Sequence, residues 1–315
     1  MKRLVLIGCG DHSDRYHAPA MADMARQSPG RIELAGCCDV SAARAEEFAR
    51  RFGFARAWSD WRAMLADVRP DAAICVLPVA LNAPVAVEML QRGLSFVTEK
   101  PIAASAQEAE FLAAAAGRQV APHMVSLNRR FSPHMTAALE LARRCGPIRY
   151  LRGSILRQGR REPEFAFSTG VHVLDALIFA GGAVSGLEVR RIPGGELGSR
   201  WCAGRLEFAG GAAGHFEMLP TAGMSQENYE FCGEGFRASV QMYGGGPRAR
   251  LWREGKLELD LTAPADQPAF ITDGAQAELR HFVECLETGQ TPSPSIAQAL
   301  PATLLAWQVC QELGR

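Results

Sequence analysis

The stretch Gly8-Cys9-Gly10-Asp11-His12-Ser13 comes directly after the short apolar run Leu4–Ile7, and a segment with helical character follows it. Its GxGxxS pattern is close to the GxGxxG turn between the first strand and first helix of dinucleotide-binding domains. In that turn the first glycine permits a tight bend, and the second lets the backbone approach the pyrophosphate, which the helix N-terminus holds. Ser13 replaces the third glycine, which permits close helix–strand packing, and its small side chain weakens the pattern without breaking it.

The second apolar run ends at Asp39. A carboxylate there can accept hydrogen bonds from both ribose hydroxyls of an adenosine and would repel a 2′-phosphate, so Asp39 favours NAD over NADP. Arg44, one turn into the following helix, could pair with a 2′-phosphate and keeps NADP open. Two other interpretations fit these residues. One is a glycine turn in an α/β domain that binds no nucleotide, and the other is a methyltransferase, which also places glycines after its first strand and an acid after its second.

Residues 1–122 alternate short β-rich apolar runs with amphipathic segments, which is the pattern of βαβ units around a parallel sheet. We therefore expect an N-terminal, doubly wound Rossmann domain over residues 1–122. The candidate strands are Leu4–Ile7, Ile32–Cys38, Ala72–Val76, Ser95–Val97 and Val120–Val125. The candidate helices are Ser41–Phe52, Ser59–Leu65, Pro84–Arg92 and Ser105–Ala116, with Ser41, Ser59 and Ser105 as N-caps and Gly53, Gly93 and Gly117 as C-caps.

Residues 123–315 follow a different pattern and predict a second, α+β domain built on a large, mainly antiparallel sheet. Consecutive alternating strands are separated by Gly-rich turns, as in antiparallel sheets. The candidate helices are Pro133–Cys145, Glu164–Ala180, Gly274–Thr288 and Ser295–Glu312. The candidate strands are Ile148–Leu156, Leu187–Ile192, Cys202–Phe208, Ala213–Leu219, Tyr229–Cys232, Arg237–Tyr243, Ala249–Arg253 and Lys256–Leu261.

The charges of the chain balance, with 34 Lys and Arg residues against 34 Asp and Glu residues. Nucleic acids and membrane surfaces are recognised mainly through clustered positive charge, so neither is expected as a partner. The nine cysteines form no CxxC pair, which favours reduced thiols in a cytoplasmic protein over disulfides or a zinc site. No apolar run suits a signal peptide or a membrane span. No metal is expected, because the histidines show no metal-ligand spacing along the chain.

Thr98-Glu99-Lys100-Pro101 follows the fifth strand, at the C-terminal sheet edge where open α/β folds bind ligands. Lysine occurs only at Lys2, Lys100 and Lys256, and arginine takes every other basic position. A partly desolvated lysine titrates within reach of neutral pH and can exchange a proton with a substrate hydroxyl, whereas arginine stays protonated. Lys100 is therefore a candidate catalytic residue, the alternative being a surface lysine at a strand end. The motif also argues against a methyltransferase.

Over essentially its whole length the chain resembles the Gfo/Idh/MocA oxidoreductases, a family named for glucose–fructose oxidoreductase and inositol dehydrogenase. In the first half the resemblance rests on Gly8-Cys9-Gly10, His17-Ala18-Pro19-Ala20-Met21, Cys38-Asp39, Ala45-Glu46-Glu47-Phe48, Arg51-Phe52-Gly53 and Glu99-Lys100-Pro101. In the second half it rests on Asn128-Arg129-Arg130-Phe131 and on the GxHxxD motif Gly170-Val171-His172-Val173-Leu174-Asp175.

The resemblance implies an NAD(P)-dependent enzyme that moves a hydride to or from a secondary alcohol or hemiacetal carbon of a sugar, polyol or related hydroxylated molecule. It implies that Lys100 and His172 flank this carbon, and that the second domain binds substrate and joins a homodimer or homotetramer through its sheet. The implied cofactor contacts are Gly8, Gly10, Asp11, His12, Ser13, Asp39, Leu77, Pro78, Asn82, Glu99 and Lys100. The candidate substrate contacts are Arg129, Arg130, Ser168 and Asp175.

The residues around His172 support a role in proton transfer. Ser168, His172 and Asp175 share one helical face, so Asp175 can reach the ring of His172 and make it a proton carrier. A satisfied interior histidine is the alternative. Ser168 stands where many family dehydrogenases have aspartate, and Asn82 stands where the family often has histidine. Because serine supplies no negative charge, two further functions stay open: a redox-neutral sugar elimination or hydrolysis that regenerates NAD, and a catalytically weak, nucleotide-sensing regulatory protein.

Overall fold

The chain folds into two units, and it leaves the first unit and later returns to it. The computed structural model describes residues 1–193 and 200–314. The first unit contains residues 1–128 and 268–300, and the second contains residues 129–267 and 301–315. This differs from the expected division at residues 122 and 123, because the segment that follows the second sheet packs back on the first unit. No local pattern in the sequence indicates that return.

The first unit is built on a six-stranded, wholly parallel sheet with the strand order β3-β2-β1-β4-β5-β6. The order reverses between β1 and β4, the position at which open α/β sheets bind ligands at their C-terminal edge. The expected Rossmann sheet is thereby confirmed, with one short strand that the sequence did not reveal, β3. The strands are β1 Lys2–Ile7, β2 Ile32–Cys38, β3 Ala57–Trp58, β4 Ala72–Cys75, β5 Ser95–Glu99 and β6 His123–Ser126.

Helices cover this sheet, and three of them begin at residues whose side chains accept backbone N–H bonds. Ser41 and Ser105 accept backbone N–H bonds from the residues three positions further on, as their predicted N-cap roles require. The third predicted cap is wrong, since Asp60, rather than Ser59, accepts the first amides of its helix. The helices are α1 Ala18–Gln27, α2 Ala42–Phe52, α3 Trp61–Val68, α4 Val79–Gln91 and α5 Ala106–Ala116, and α4 begins before the predicted Pro84 and includes it.

The second unit is built on an eight-stranded sheet with the order β14-β13-β12-β11-β7-β10-β9-β8. Every neighbouring pair is antiparallel except β7 and β10, which confirms the mainly antiparallel sheet. The strands are β7 Tyr150–Leu156, β8 Val184–Arg191, β9 Cys202–Phe208, β10 Ala213–Leu219, β11 Gln226–Gly233, β12 Phe236–Met242, β13 Arg248–Arg253 and β14 Lys256–Thr262.

Three helices of the second unit lie between its first residues and β8. They are α6 Pro133–Cys145, α7 Phe165–Ser168 and α8 Val171–Gly181. The predicted single helix over Glu164–Ala180 is therefore interrupted at Thr169 and Gly170. A Cβ at Gly170 would lie 2.5 Å from Met218 Sδ and 2.6 Å from the Ala166 carbonyl oxygen, so the close approach requires glycine. This interruption creates a new helix start just before His172.

One face of the large sheet is buried and the other is polar. Leu151, Ile155 and Phe231 are fully buried on the face where α6 and α8 pack. Alternate residues of the same strands project from the opposite face, because side chains in a strand alternate between faces. That face carries a cavity of about 410 Å³ lined by residues that include Arg152, Glu217, Glu230, Arg237 and Arg248.

The last three helices are α9 Ala269–Thr272, α10 Ala275–Thr288 and α11 Ile296–Gly314. In the first unit α10 packs against α1 and β6, and Arg31 pairs with Glu287 at 2.7 Å. The first part of α11, to Leu300, belongs to the first unit, and the rest belongs to the second. Among the residues that the structure describes, no helix is long and apolar enough to span a membrane.

Candidate active site

The turn after β1 has the geometry that a glycine-rich dinucleotide loop requires. Gly8 has a φ of 99°, and a Cβ there would overlap the carbonyl oxygen of Val76, so the fold itself requires glycine. Gly10 is different, because a Cβ there would meet no atom of the described residues within 4 Å beyond its own chain neighbours. Ser13 donates its hydroxyl to the Gly8 carbonyl oxygen at 2.5 Å. The turn is closed at Gly8 and open at Gly10, where a ligand could approach the backbone.

Asp39 connects this turn to the end of β2. One carboxylate oxygen accepts the backbone N–H of Cys9 at 3.0 Å, and the other accepts the backbone N–H of Ser41 at 3.0 Å. Arg44 Nη1 lies 3.7 Å from Asp39 Oδ1. Asp39 and Arg44 thus lie together beside the glycine turn, and their contacts with a ribose or a 2′-phosphate stay predictions. In this arrangement Asp39 also orders the turn, a role that sequence reasoning did not assign.

The helix after the turn begins with a single π-helical turn over Ser13–His17, a feature that is frequent at functional sites. It presents His17 toward the end of β5, where His17 Nε2 lies 2.7 Å from Glu99 Oε1. His12 Nε2 lies 3.3 Å from the same oxygen. Burial by itself would raise the pKa of Glu99, but the charges and hydrogen bonds of His12 and His17 lower it well below its ordinary value. Glu99 is therefore a buried, charged carboxylate.

A second buried carboxyl group lies close to this cluster. Ser126 donates its hydroxyl to Glu278 Oε2 at 2.8 Å, and both residues are buried. Burial and the nearby charge of Glu99 raise the pKa of Glu278 well above its ordinary value, which favours the protonated form. Sequence reasoning missed both His17 and Glu278 as members of this network. His17 gave a weak signal through its family motif, but Glu278 gave none, because α10 was expected to belong to the other domain.

Lys100 follows β5, and hydrogen bonds to the backbone of residues 99–101 hold it in place. Asn82 is 1% exposed, and its Nδ2 donates to the carbonyl oxygens of Glu99 at 3.2 Å and Pro101 at 2.9 Å. The backbone N–H of Lys100 lies 3.3 Å from Glu99 Oε2. The side chain of Asn82 thus supports the segments on both sides of Lys100, and its predicted contact with the cofactor stays a prediction. Leu77 lies next to the glycine turn, with its Cδ2 3.5 Å from a Cβ built at Gly8.

In the second unit, His172 lies in the first turn of α8 and is 6% exposed. Asp175, one turn later, was expected to reach the ring of His172. In the structure both oxygens of Asp175 accept hydrogen bonds from Arg130, at 2.9 Å from Nε and 2.6 Å from Nη2, and its predicted contact with the ring of His172 stays a prediction. Burial raises the pKa of Asp175, and the hydrogen bonds and charge of Arg130 oppose that shift. Ser168 ends the short helix before α8.

Arg129, whose contact with substrate stays a prediction, lies in the second unit. It is 5% exposed and forms a bidentate pair with fully buried Glu227, with distances of 2.9 and 2.8 Å. Arg157 pairs with the same carboxylate, and the Tyr229 hydroxyl donates to it at 3.0 Å. The Arg129 and Arg157 guanidinium groups lie 5.3 and 5.5 Å from the ring centroid of Tyr243, whose φ is 63°. Arg129 therefore belongs to a buried ionic network.

The comparisons with known proteins agree with this architecture. Residues 2–127 match the family model described as an oxidoreductase family with an NAD-binding Rossmann fold. The chain is similar to levoglucosan dehydrogenase of Pseudarthrobacter phenanthrenivorans, 30% identical over 126 residues, which cover 39% of this chain and 32% of that protein. The match thus spans about a third of that relative's length.

Two further comparisons extend over nearly the whole chain. A scyllo-inositol 2-dehydrogenase (NAD(+)) of Bacillus subtilis is 26% identical over 319 residues, covering 92% of this chain and 87% of that protein. The crystal structure of a Gfo/Idh/MocA family oxidoreductase from Vibrio cholerae superposes with a TM-score of 0.83 at 23% identity, covering 100% of this chain and 98% of that one. The structural likeness establishes the fold. Residues 2–127 are therefore similar to the NAD-binding Rossmann domain of the Gfo/Idh/MocA oxidoreductase family, and nearly the whole chain has the fold of a member of that family.

Proposed function

We propose that this protein is an NAD-dependent dehydrogenase that oxidises or reduces one hydroxyl-bearing carbon of a sugar, a polyol or a related hydroxylated molecule. The observation that carries the proposal is the position of Lys100. It follows β5 directly, at the C-terminal edge of the sheet that also carries the Gly8–Ser13 turn. Lysine is rare in this chain, so an amine at this position argues for chemistry that arginine cannot perform.

The residues of the turn fit a dinucleotide. Gly10 leaves its backbone open to a pyrophosphate, and the helical N–H groups that begin after it favour negative charge. Asp39 is mostly buried and negatively charged at the end of β2, which supports NAD over NADP because a 2′-phosphate there would be repelled. Arg44 lies on the solvent side of Asp39 and is the residue through which NADP could still be accepted.

The dinucleotide, when bound, supplies the nicotinamide ring that accepts or donates the hydride. We assign to Lys100 the polarisation of the reacting oxygen, and to His172 the uptake or release of its proton. Asn82 and Glu99 keep the backbone of Lys100 in place. Arg130 holds Asp175, one turn beyond His172, and so orients α8. In this proposal Arg129, Arg130 and Asp175 position the machinery, and Ser168 remains a candidate substrate contact.

The substrate class is supported by the names of the relatives. One is a levoglucosan dehydrogenase and another is a scyllo-inositol 2-dehydrogenase, and both names denote cyclic molecules with several hydroxyl groups. We therefore propose a neutral, polyhydroxylated substrate. A panel of aldoses, inositols, anhydrosugars and glycosides, each tested with NAD and NADP in both directions, would identify it.

The decisive experiment has two steps. Fluorescence titration with NADH and NADPH should give saturable binding, with NADH binding more tightly. Substrate turnover is then followed by absorbance of NADH and by product analysis. Net NADH formation supports a dehydrogenase, and product without net NADH would show a redox-neutral route. Binding of NADH without turnover across the panel would instead support a regulatory protein.

We also propose that the polar face of the second sheet joins copies of this chain into a homodimer or homotetramer. The cavity on this face is lined by arginines and glutamates together, for example Arg152 with Glu217 and Arg237 with Glu230. A surface with both charges can pair with its own copy around a two-fold axis. Sedimentation of the full chain should give a dimer or tetramer, and a monomer at micromolar concentration would exclude this proposal.

A further inference from the structure

Three potential metal ligands meet beside the glycine-rich turn. His12 and His17 both present Nε2 to the same oxygen of Glu99, at 3.3 and 2.7 Å. All three donor atoms lie within 4.8 Å of one another. The sequence did not indicate this cluster, because Glu99 is 82 residues from His17 along the chain. The fold brings the end of β5 to the helix start after β1, and with it a carboxylate to two imidazoles.

We propose that His12, His17 and Glu99 form a site for a divalent transition-metal ion of the zinc class. Two imidazole nitrogens and one carboxylate oxygen are a common donor set for such ions, and three protein ligands leave a fourth position open. With bonds of about 2.0–2.2 Å, the donor atoms of a tetrahedral site lie about 3.3 Å apart. The separation of His12 Nε2 from Glu99 Oε1, 3.3 Å, matches that spacing, and the separation of His17 Nε2 from the same oxygen, 2.7 Å, is shorter. Small side-chain rotations would therefore complete the site.

The burial of the three residues suits a bound cation. Glu99 and His17 are 6% and 7% exposed, so the ion would lie against the protein interior, while the side chain of His12 is 45% exposed and gives an entry path. Glu99 is an uncompensated buried anion whenever both imidazoles are neutral, and a dication would balance that charge.

A metal ion at this site would affect binding of the proposed dinucleotide, and this inference rests on the proposed function. His12 belongs to the Gly8–Ser13 turn, and Glu99 precedes Lys100, so both are predicted cofactor contacts. A metal ion would use their donor atoms and hold the turn against β5. We therefore expect the metal ion to lower the affinity for NADH, and NADH to lower the affinity for the metal ion by the same factor.

The test is a titration of chelator-treated full-length protein with cobalt(II) chloride under reducing conditions, followed by visible absorbance. Cobalt(II) bound by nitrogen and oxygen ligands gives weak bands in the visible region. Ligation by any of the nine cysteines would add intense near-ultraviolet thiolate absorption, which separates adventitious binding from the proposed site. Zinc chloride should displace the cobalt at one equivalent. X-ray absorption at the zinc edge should then show nitrogen and oxygen neighbours without sulfur.

Histidine variants show which residues bind the cobalt ion. His12→Gln and His17→Gln should each weaken cobalt binding by more than the roughly 10- to 100-fold typical of losing an outer-shell partner. His215→Gln removes an exposed histidine of β10 in the other unit and should leave binding unchanged. Because His17 is buried, circular dichroism must show that its variant is folded, and half-exposed His12 provides the safer test.

Two results would overturn the proposal. One is cobalt binding of equal strength in wild type and His12→Gln protein, and the other is a spectrum dominated by thiolate absorption. The competition with NADH is tested separately, by titrating NADH with and without zinc. Metal binding with unchanged NADH affinity would refute the competition and leave the metal site standing. Metal binding without any NADH binding would refute the proposed function and not the site.

Discussion

Arg130 donates to both carboxylate oxygens of Asp175, from Nε at 2.9 Å and from Nη2 at 2.6 Å. The side chain of Asp175 is buried at 1% exposure, and that of Arg130 is 10% exposed. The spacing of the sequence predicts that Asp175 reaches the ring of His172. The ion pair shows that the aspartate of the GxHxxD motif anchors α8 to the segment that opens the second unit.

Asp175→Asn should therefore be strongly destabilising. It leaves the charge of Arg130 buried without its carboxylate, which costs about 3–5 kcal/mol in comparable pairs. Urea unfolding would measure the loss. Glu188→Gln is the control, because Glu188 and Arg190 pair on the surface at 56% and 82% side-chain exposure and should contribute less than about 1 kcal/mol. Equal effects in the two variants would contradict a structural role for the buried pair.

The two glycines of the first turn should respond differently to alanine. Gly8→Ala places a Cβ against the Val76 carbonyl oxygen at a φ of 99°, so it should lower the free energy of unfolding by more than the ~1–2 kcal/mol cost of a left-handed residue. Gly10→Ala meets no such obstacle and should fold normally, but its methyl group should weaken NADH binding. Thermal unfolding and fluorescence titration of both variants would check this. Normal NADH affinity in Gly10→Ala protein would argue against a pyrophosphate at this position.

Asp39 should decide the preference between NAD and NADP. Asp39→Asn removes the negative charge and keeps an oxygen for the Cys9 or Ser41 amide. The ratio of NADPH to NADH affinity should rise at least about 10-fold, which corresponds to about 1.4 kcal/mol. Adding Arg44→Gln to this variant should reverse part of the gain, because Arg44 would bind the 2′-phosphate. An unchanged ratio would show that Asp39 does not contact the ribose.

Lys100→Arg should show whether turnover needs only the positive charge of Lys100 or also its ability to exchange a proton. Arginine keeps the cation but stays protonated, so turnover on an identified substrate should fall by roughly 10²- to 10⁴-fold, with a smaller change in NADH affinity. Lys256→Arg, at the exposed start of β14, is the matched control and should keep wild-type turnover. His172→Asn should flatten the pH profile of turnover. Near-full activity of Lys100→Arg protein would remove Lys100 from the proton-transfer step.

Glu227 should contribute stability that depends on pH. Burial by itself would raise the pKa of Glu227. The charges and hydrogen bonds of Arg129 and Arg157 have the larger effect, and they lower this pKa from 4.5 to about 2 in the folded protein. A carboxyl group with a lowered folded-state pKa stabilises the fold above its unfolded pKa, and the contribution disappears as the pH falls from about 4.5 toward about 2. Urea unfolding of wild type and Glu227→Gln protein should therefore differ most at neutral pH, and the difference should shrink through that window. A constant difference would contradict the linkage.

The sequence predicted local features well wherever a pattern of neighbouring residues carries them. The apolar runs located β1, β2, β4 and β5, and serine caps located the starts of α2 and α5, because both signals lie within a few residues of the element they define. The sequence did not predict the break at Gly170, where Met218 of β10, 48 residues away along the chain, approaches closely. It did not predict the short β3 either, since two residues carry no periodicity.

The sequence by itself determined the two fold types, the glycine turn with Asp39, and the motifs at Lys100 and His172. Each of these depends on the pattern of residues that are near one another along the chain. Only the tertiary structure decided which charges meet. Glu227 is 98 residues from Arg129, and Ser126 is 152 residues from Glu278, so no spacing rule connects them. A buried charge must find a partner wherever the packed chain provides one, and the path of the chain through both units selects that partner. For the same reason, the spacing of the histidines along the chain predicted no metal site, although the fold brings His12, His17 and Glu99 together.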